Sequence, residues 1–323
     1  FKDMKNIYKI LSILIISINH FTISKAQEIP SSFADLAEKL MPSVVNISTT
    51  TTVTTRSNPL PFEFPPGSPF EDMFGSPQQR QTSALGSGFI IDEEGIVITN
   101  NHVIQGASDI FVRVNGDEDY KAEVLGADAG MDIAVLKIKS DEKFKPVKFG
   151  NSDKSRIGDW VIAIGNPFGL GGTVTAGIIS ARNRSIGLSR YEDYIQTDAS
   201  INQGNSGGPL FNMNGDVIGI NTAILGQSGS IGIGFAIPSN SAQKVIEQLI
   251  EFGETKRGWL GVRIQVVDQG IADAEKLDKP RGALVASVAD NSPSDKGGIK
   301  PGDIILEFDG KPINEMKELP KIV

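Results

Sequence analysis

Short β-branched runs, separated by turn residues, recur along most of this chain and limit its fold more than any other feature. After "SVVNISTTTTV" (43–53) come "GSGFIID" (86–92), "IVITN" (96–100), "DIFVRV" (109–114), "YKAEVLGA" (120–127) and "DIAVLKI" (132–138). "GDWVIAIG" (158–165), "TVTAGIISARN" (173–183), "DVIGINTAI" (216–224) and "IGIGFAIP" (231–238) continue the series. Runs of this kind, bounded by Gly, Asn and Asp, predict an all-β antiparallel protein with two barrels. The 35 glycines and 17 prolines supply the turns such a fold needs. One segment breaks the rhythm. In "SNSAQKVIEQLIEFG" (239–253), Ala242, Val245, Ile246, Leu249 and Ile250 fall on one helical face, with a polar N-cap and Gly253 as a stop. That helix closes a large unit. A shorter helix, "SSFADLAEKLMP" (31–42), precedes the first strand, and a second, smaller unit of strand-like runs begins near Lys256.

The N-terminal 26 residues read as a secretory signal. Lys2, Lys5 and Lys9 precede the apolar run "ILSILIISI", and Ser24 and Ala26 are the small residues of a cleavage site after Ala26. The run is short for a membrane span, so a retained anchor is the lesser reading. Residues 56–84 are rich in proline and phenylalanine and predict a long loop. The net charge of −8 and the absence of a Lys/Arg cluster exclude a nucleic-acid binder that works by neutralising phosphates. There is no cysteine, which excludes a thiol nucleophile, a thiolate metal site and a disulfide scaffold.

Histidine is almost as scarce. His20 lies in the leader, so His102 is the sole imidazole after export. One histidine with carboxylates makes a poor transition-metal site, and no metal or other cofactor is expected. His102 stands where a strand gives way to a turn; it reads as a surface residue or as a general base. "DASINQGNSGGPLFN" (198–212) offers Ser206 among Gly204, Gly207 and Gly208. Glycines let amides converge on a developing oxyanion, and they equally serve a tight turn. Asp132, at the entrance of an apolar strand, needs a partner if buried, and His102 Nδ1–H is a suitable one. Asp128 is better suited to cap the turn. "GNSGG" satisfies the G-x-S-x-G pattern, but no histidine follows Ser206, which rules out the α/β-hydrolase order. His–Asp–Ser order on strands is the chymotrypsin arrangement. Counting leaves a Ser–Lys dyad open, at the price of a His102 without a role.

"GSGFII", "ITNNHVI", "DIAVLKI", "AIGNPFGL", "QTDASINQGNSGGPL" and "IGFAIPS", in this order, resemble the HtrA (Deg) family of trypsin-like serine proteases with C-terminal PDZ modules. The resemblance implies a chymotrypsin-like double β-barrel over 27–255 and a PDZ domain, incomplete at its end, over 256–323. It makes His102 the base, Asp132 the orienting acid and Ser206 the nucleophile, with the amides of Gly204 and Ser206 as oxyanion hole. Digestive relatives carry an aspartate before the serine; Asn205 cannot form that ion pair, so zymogen cleavage is not expected. Switching by loop rearrangement is expected instead, at 166–173, 183–193, 200–205 and 225–231. Ser200 falls at the base of the specificity pocket, and Ile231 and Ile233 at its wall, which predicts cleavage after small or medium aliphatic residues. The alternative for Ile233 is a place in the core.

In the second unit, amides around Leu260, Gly261 and Val262 would hold a peptide's C-terminal carboxylate, with the peptide added as a strand beside "VRIQVV". The alternative is a plain strand with Trp259 in the core. The function expected is an exported, periplasmic, ATP-independent serine endopeptidase that degrades misfolded or damaged proteins, with possible chaperone activity. Its expected partners are unfolded proteins, C-terminal peptides and copies of itself in a trimer or larger homo-oligomer. The competing readings are a chaperone or PDZ scaffold with incidental peptidase activity, and an esterase of small molecules.

Overall fold

The structure is a computed structural model that describes residues 30–55, 78–116, 118–166, 172–187, 191–202, 204–224 and 230–323. The expected leader, most of the Pro/Phe-rich segment and parts of all four expected switching loops lie outside the described residues. Helix α1 (Ala34–Leu40) runs into a 3₁₀ turn at Met41–Ser43. Pro42 sits at the start of that turn, where its missing N–H is harmless.

Two antiparallel six-stranded barrels follow. The first is closed in the order β1 (Val44–Thr55), β2 (Gln78–Ile90), β3 (Ile96–Thr99), β6 (Ile133–Ile138), β5 (Glu118–Asp128), β4 (Asp109–Val114). The second is closed as β10 (Pro209–Phe211), β11 (Val217–Ile224), β12 (Gly234–Pro238), β9 (Tyr194–Thr197), β8 (Thr173–Arg184), β7 (Trp160–Gly165). In β4, Ile110, Val112 and Val114 are buried and alternate with half-exposed neighbours, as a strand with one wet face requires. In β6 and β7 nearly every residue is buried. Helix α3 (Ser239–Phe252) covers β5 and β6 from outside, which explains the continuous apolar run of β6. The first core gathers Val45, Ile47, Val97, Val112 and Leu136; the second gathers Val161, Ile179, Leu210 and Ala236. Each fully buried Val, Leu or Ile in these cores stabilises the fold by about 1.5–3 kcal/mol.

Three sequence expectations need correction. β2 begins at Gln78, inside the segment read as loop, because the polar 78–84 stretch pairs in register with Thr49–Thr55 of β1. Backbone pairing supplies that strand where apolar alternation gave no sign. β9 and β10 were not expected; they are four and three residues long, and β10 starts on a proline. Ile250 is 45% exposed, although the helical face that includes Ala242, Val245, Ile246 and Leu249 is buried.

Beyond α3 lies a smaller unit. β13 (Val262–Val266), β14 (Ala283–Val288) and β15 (Ile304–Ile305) form a sheet in that order, so one edge of β13 is unpaired among the described residues. Helix α4 (Gln269–Ala274) is capped by Asp268, whose carboxylate accepts the Ile271 N–H. The one-turn helix α5 (Pro293–Lys296), the hairpin β16–β17 (Glu307–Phe308, Lys311–Pro312) and helix α6 (Leu319–Ile322) complete the unit. Ala283, Ile313 and Leu319 form its core, with Leu260, Ile264, Ile305, Phe308 and Met316 packed against them.

Candidate active site

His102 is carried by a single helical turn, α2 (Asn101–Ile104), that directly follows β3. Asn100 occupies its N-cap position, yet its side chain does not cap the helix. It reaches across to donate to the Asp132 carbonyl at 2.8 Å. The helix takes its acceptor from Asp132 instead: Oδ1 receives the His102 N–H at 2.8 Å, and Oδ2 lies 2.7 Å from His102 Nδ1. Asp132 itself has a left-handed backbone, with φ of +57°. Asp tolerates that region better than most residues, and the kink aims the carboxylate at His102 as the chain enters β6. Oδ2 also accepts from Thr222 Oγ1 at 2.8 Å. Thr222 belongs to β11, so the second barrel helps hold a carboxylate of the first. Nearby, the Tyr194 hydroxyl is pushed up to about 12, first by burial and then by the negative charges of Glu192 and Asp132. It therefore stays protonated beside the site.

Ser206 occupies a turn on the other barrel, just before β10. Its carbonyl accepts the Ser87 N–H from β2 at 2.9 Å, and the Gly207 N–H donates to Asn221 O at 2.7 Å. Gly207 has φ of +83°, and a Cβ there would run into the Ser87 carbonyl and Thr99 Oγ1 and come within 3.0 Å of the Asn100 amide. Only glycine lets the serine turn approach this closely to the segment that carries His102. Among the described residues, no hydrogen bond joins His102 to Ser206 Oγ, and the Gly204 and Ser206 amides donate to no protein acceptor. Apo sites commonly hold a nucleophile and base apart until substrate binds. Asn205 is buried; its Nδ2 donates to the Ser200 carbonyl at 3.4 Å.

The remaining expected residues are more scattered. Ser200 is exposed, and its carbonyl also accepts from Thr175 Oγ1 at 3.0 Å. Ile233 is half-buried, whereas Ile231 is 66% exposed. Ile201, not singled out from sequence, is buried beneath Gly234. Asp128 does accept the Met131 N–H at 2.7 Å, as a turn cap. It also pairs with Arg257 through both guanidinium nitrogens, at 2.7 and 2.8 Å, and with Thr255 Oγ1. Burial alone would raise its carboxyl, but Arg257, Thr255 and the Met131 amide hold it below the usual range. Arg257 stacks on the Tyr191 ring, 4.3 Å from the centroid.

In the smaller unit, the Leu260 and Gly261 carbonyls accept from Ser294 N at 3.1 Å and Ala289 N at 2.7 Å. Their own amides donate to no protein acceptor among the described residues. Gly261 sits at φ of +77° against Ser292, where a side chain would not fit. Trp259 is 64% exposed, which overturns the reading that placed it in the core. Val262 opens the edge strand β13.

Sequence reasoning missed Asn100, Thr222 and Ser87. Each is a small polar residue at or near the end of a strand, and only "TNNHV" placed one of them close to a singled-out residue.

Residues 86–220 match the family of the trypsin-like peptidase domain, and residues 258–323 match the PDZ domain family. A protein of Marinomonas sp. (strain MWYL1), described as "Probable periplasmic serine endoprotease DegP-like", is 48% identical over 93% of this chain and 67% of its own length. One of the same description from Hahella chejuensis is 43% identical over 99% of this chain and 70% of its own. The solved structure of the HtrA-type protease AlgW with a decapeptide superposes with a TM-score of 0.75, at 42% identity and over 90% of each chain. AlgW with a tripeptide gives 0.76 at 40% identity, over 90% of this chain and 88% of that one.

Two six-stranded barrels that meet at such a seam make this chain a trypsin-like serine endopeptidase followed by a PDZ domain. Identity at this level over nearly the whole chain narrows the class: it belongs to the HtrA family of DegP-like serine endoproteases.

Proposed function

We propose that the protein is an exported, ATP-independent endopeptidase that degrades misfolded or damaged proteins in the periplasm through Ser206, His102 and Asp132. One observation carries this reading: both N–H groups on the inner side of His102, the backbone amide and Nδ1–H, converge on the two oxygens of Asp132. That contact fixes the imidazole tautomer and leaves Nε2 as the free base. His102 takes the Ser206 proton as Oγ attacks the peptide carbonyl, and Asp132 stabilises the imidazolium that results. The Gly204 and Ser206 amides, which have no protein acceptor among the described residues, receive the oxyanion. Collapse, with the imidazolium giving its proton to the leaving nitrogen, yields an acyl-enzyme and a free amine, and water then releases the acid with His102 again as base.

Cleavage follows small or medium aliphatic residues, as Ile233 and the absence of a pocket-base acid at Ser200 favour. The PDZ unit holds C-terminal peptides: its Leu260 and Gly261 amides meet the carboxylate, and the unpaired edge of β13 takes the peptide as a strand. The names of the relatives support a periplasmic location, and the family supports a trimer or larger homo-oligomer. Chaperone activity would come from the same peptide-holding surfaces. Turnover of unfolded casein, wild type against Ser206→Ala, tests the reading. The variant should lose kcat by a factor on the order of 10⁶. Retained casein cleavage would end the assignment, and unchanged holding of unfolded protein beside absent wild-type cleavage would favour the chaperone or scaffold.

A further inference from the structure

Ser87 is fully buried on β2, directly across from the buried Asn46 of β1 and on the same strand face as the buried Phe89. A hydroxyl in such a place is unfavourable unless it is paired. Its partners all concern the serine turn or the barrel seam. Oγ donates to the Gly204 carbonyl in a short hydrogen bond and accepts the Asn166 N–H at 2.8 Å. The backbone N–H of the same residue donates to the Ser206 carbonyl at 2.9 Å, and its carbonyl accepts from Thr99 Oγ1 at 2.8 Å. Asn166 directly follows β7; it is buried, and its own carbonyl receives Asn46 Nδ2 at 2.8 Å.

These contacts bracket one peptide plane. The Ser206 N–H belongs to the unit between residues 205 and 206. The plane before it carries the Gly204 carbonyl, held by Ser87 Oγ; the plane after it carries the Ser206 carbonyl, held by Ser87 N–H. The Asn205 carbonyl, on the opposite side of the same plane as the Ser206 N–H, accepts Gly208 N–H at 3.0 Å. Because the peptide is planar and trans, the Ser206 N–H is turned away from Gly208. Gly204, at φ of +99°, has no side chain to restrict its rotation, so the direction of its carbonyl depends on an external donor.

We propose that the Ser87 hydroxyl is a positioning residue for the oxyanion-binding turn: by holding the Gly204 carbonyl and the Asn166 amide, it sets the direction of the Ser206 amide that receives the oxyanion. This rests on the assignment of Ser206 as nucleophile. It adds that a residue of the first barrel, outside the three reacting side chains, controls the competence of the second barrel's turn.

Ser87→Ala removes only the hydroxyl's two bonds and keeps the N–H to Ser206. Its kcat on a peptide substrate should fall about ten- to hundredfold, less than the loss of a whole oxyanion donor, with KM within about threefold. Affinity for a peptide aldehyde, whose hemiacetal oxygen needs the same amide, should fall by the same factor. Ser87→Thr, which restores the hydroxyl, should recover most of the kcat. Unchanged kcat and aldehyde affinity in folded Ser87→Ala would overturn the proposal. So would equal losses for substrate and aldehyde with KM raised, the mark of a general structural role. If Ser87→Ala does not fold, Ser87→Cys, of similar shape and a poor donor, is read in the same way. Fluorophosphonate labelling of the wild-type protein at Ser206 separates the two levels. Its absence there would retire the underlying nucleophile, whereas labelling in the wild type that slows in Ser87→Ala supports the positioning role.

Discussion

The two barrels contribute to the site in different ways. The first supplies side chains, His102 and Asp132, locked by directional bonds at 2.7–2.8 Å to each other, to Asn100 and to Thr222. The second supplies a turn in which backbone groups do most of the bonding, and a glycine at φ of +83° allows the close approach to β2 and Asn100. The proposed acid–base pair is therefore held by side-chain hydrogen bonds, and the turn of the proposed nucleophile by backbone hydrogen bonds, the Ser87 hydroxyl and a close approach that only glycine permits. Damage should differ accordingly: loss of a partner in the first barrel changes protonation and orientation, while added bulk in the second displaces the serine.

Short of removing Ser206 itself, the largest effect should come from Asp132→Asn, which keeps the shape but cannot stabilise the imidazolium. By comparison with the worked serine-protease case, kcat should fall by about 10⁴, measured on a peptide substrate at neutral pH. Gly207→Ala removes no reacting group but displaces the serine turn, and should lower kcat by roughly 10²-fold, since a displacement near 1 Å has that effect. A lower melting temperature from strained backbone should accompany it. Normal turnover in this variant would break the idea that shape governs the second half. Thr222→Val removes one hydrogen bond to a charged oxygen, worth about 1.5 kcal/mol, and should reduce kcat about tenfold.

Arg257→Ala sharpens the comparison from outside the chemistry. It strips the buried Asp128 carboxylate of its charged partner and should lower stability by about 3 kcal/mol, while kcat stays within threefold. Asp128 has a folded pKa below its unfolded value of about 3.9. Its contribution is therefore present above that pH and fades as pH falls through the folded value. The stability gap between wild type and Arg257→Ala, followed by denaturant unfolding from pH 6 to 3, should narrow at the acid end. A constant gap would deny the pair its assigned role.

Strands whose side chains alternate or are wholly apolar could be read from the sequence, as β4, β6 and β8 were, because burial writes their pattern directly. β9, β10 and the first residues of β2 could not, since their pairing is a matter of backbone partners supplied by distant chain. Scarcity made the proposed reacting residues legible: one histidine outside the expected leader, one serine among glycines, and an aspartate at the mouth of an apolar strand. Ser87, Asn100 and Thr222 were not, because a small polar residue in or at the end of a strand gives no sign of whether its donor has a partner across a seam. Ile250 shows the same limit in a helix, where periodicity defines a face but not how far the neighbouring strands extend over it.

The central claim is that three side chains from two barrels act as one unit. Its most direct measurement is the rate of fluorophosphonate adduct formation, mapped by mass spectrometry, in wild type, His102→Ala, Asp132→Asn and the double variant. The adduct should form on Ser206, and the double variant should react no more slowly than His102→Ala alone, because a unit already broken loses nothing further. An adduct on another residue, or losses that multiply in the double variant, would contradict it.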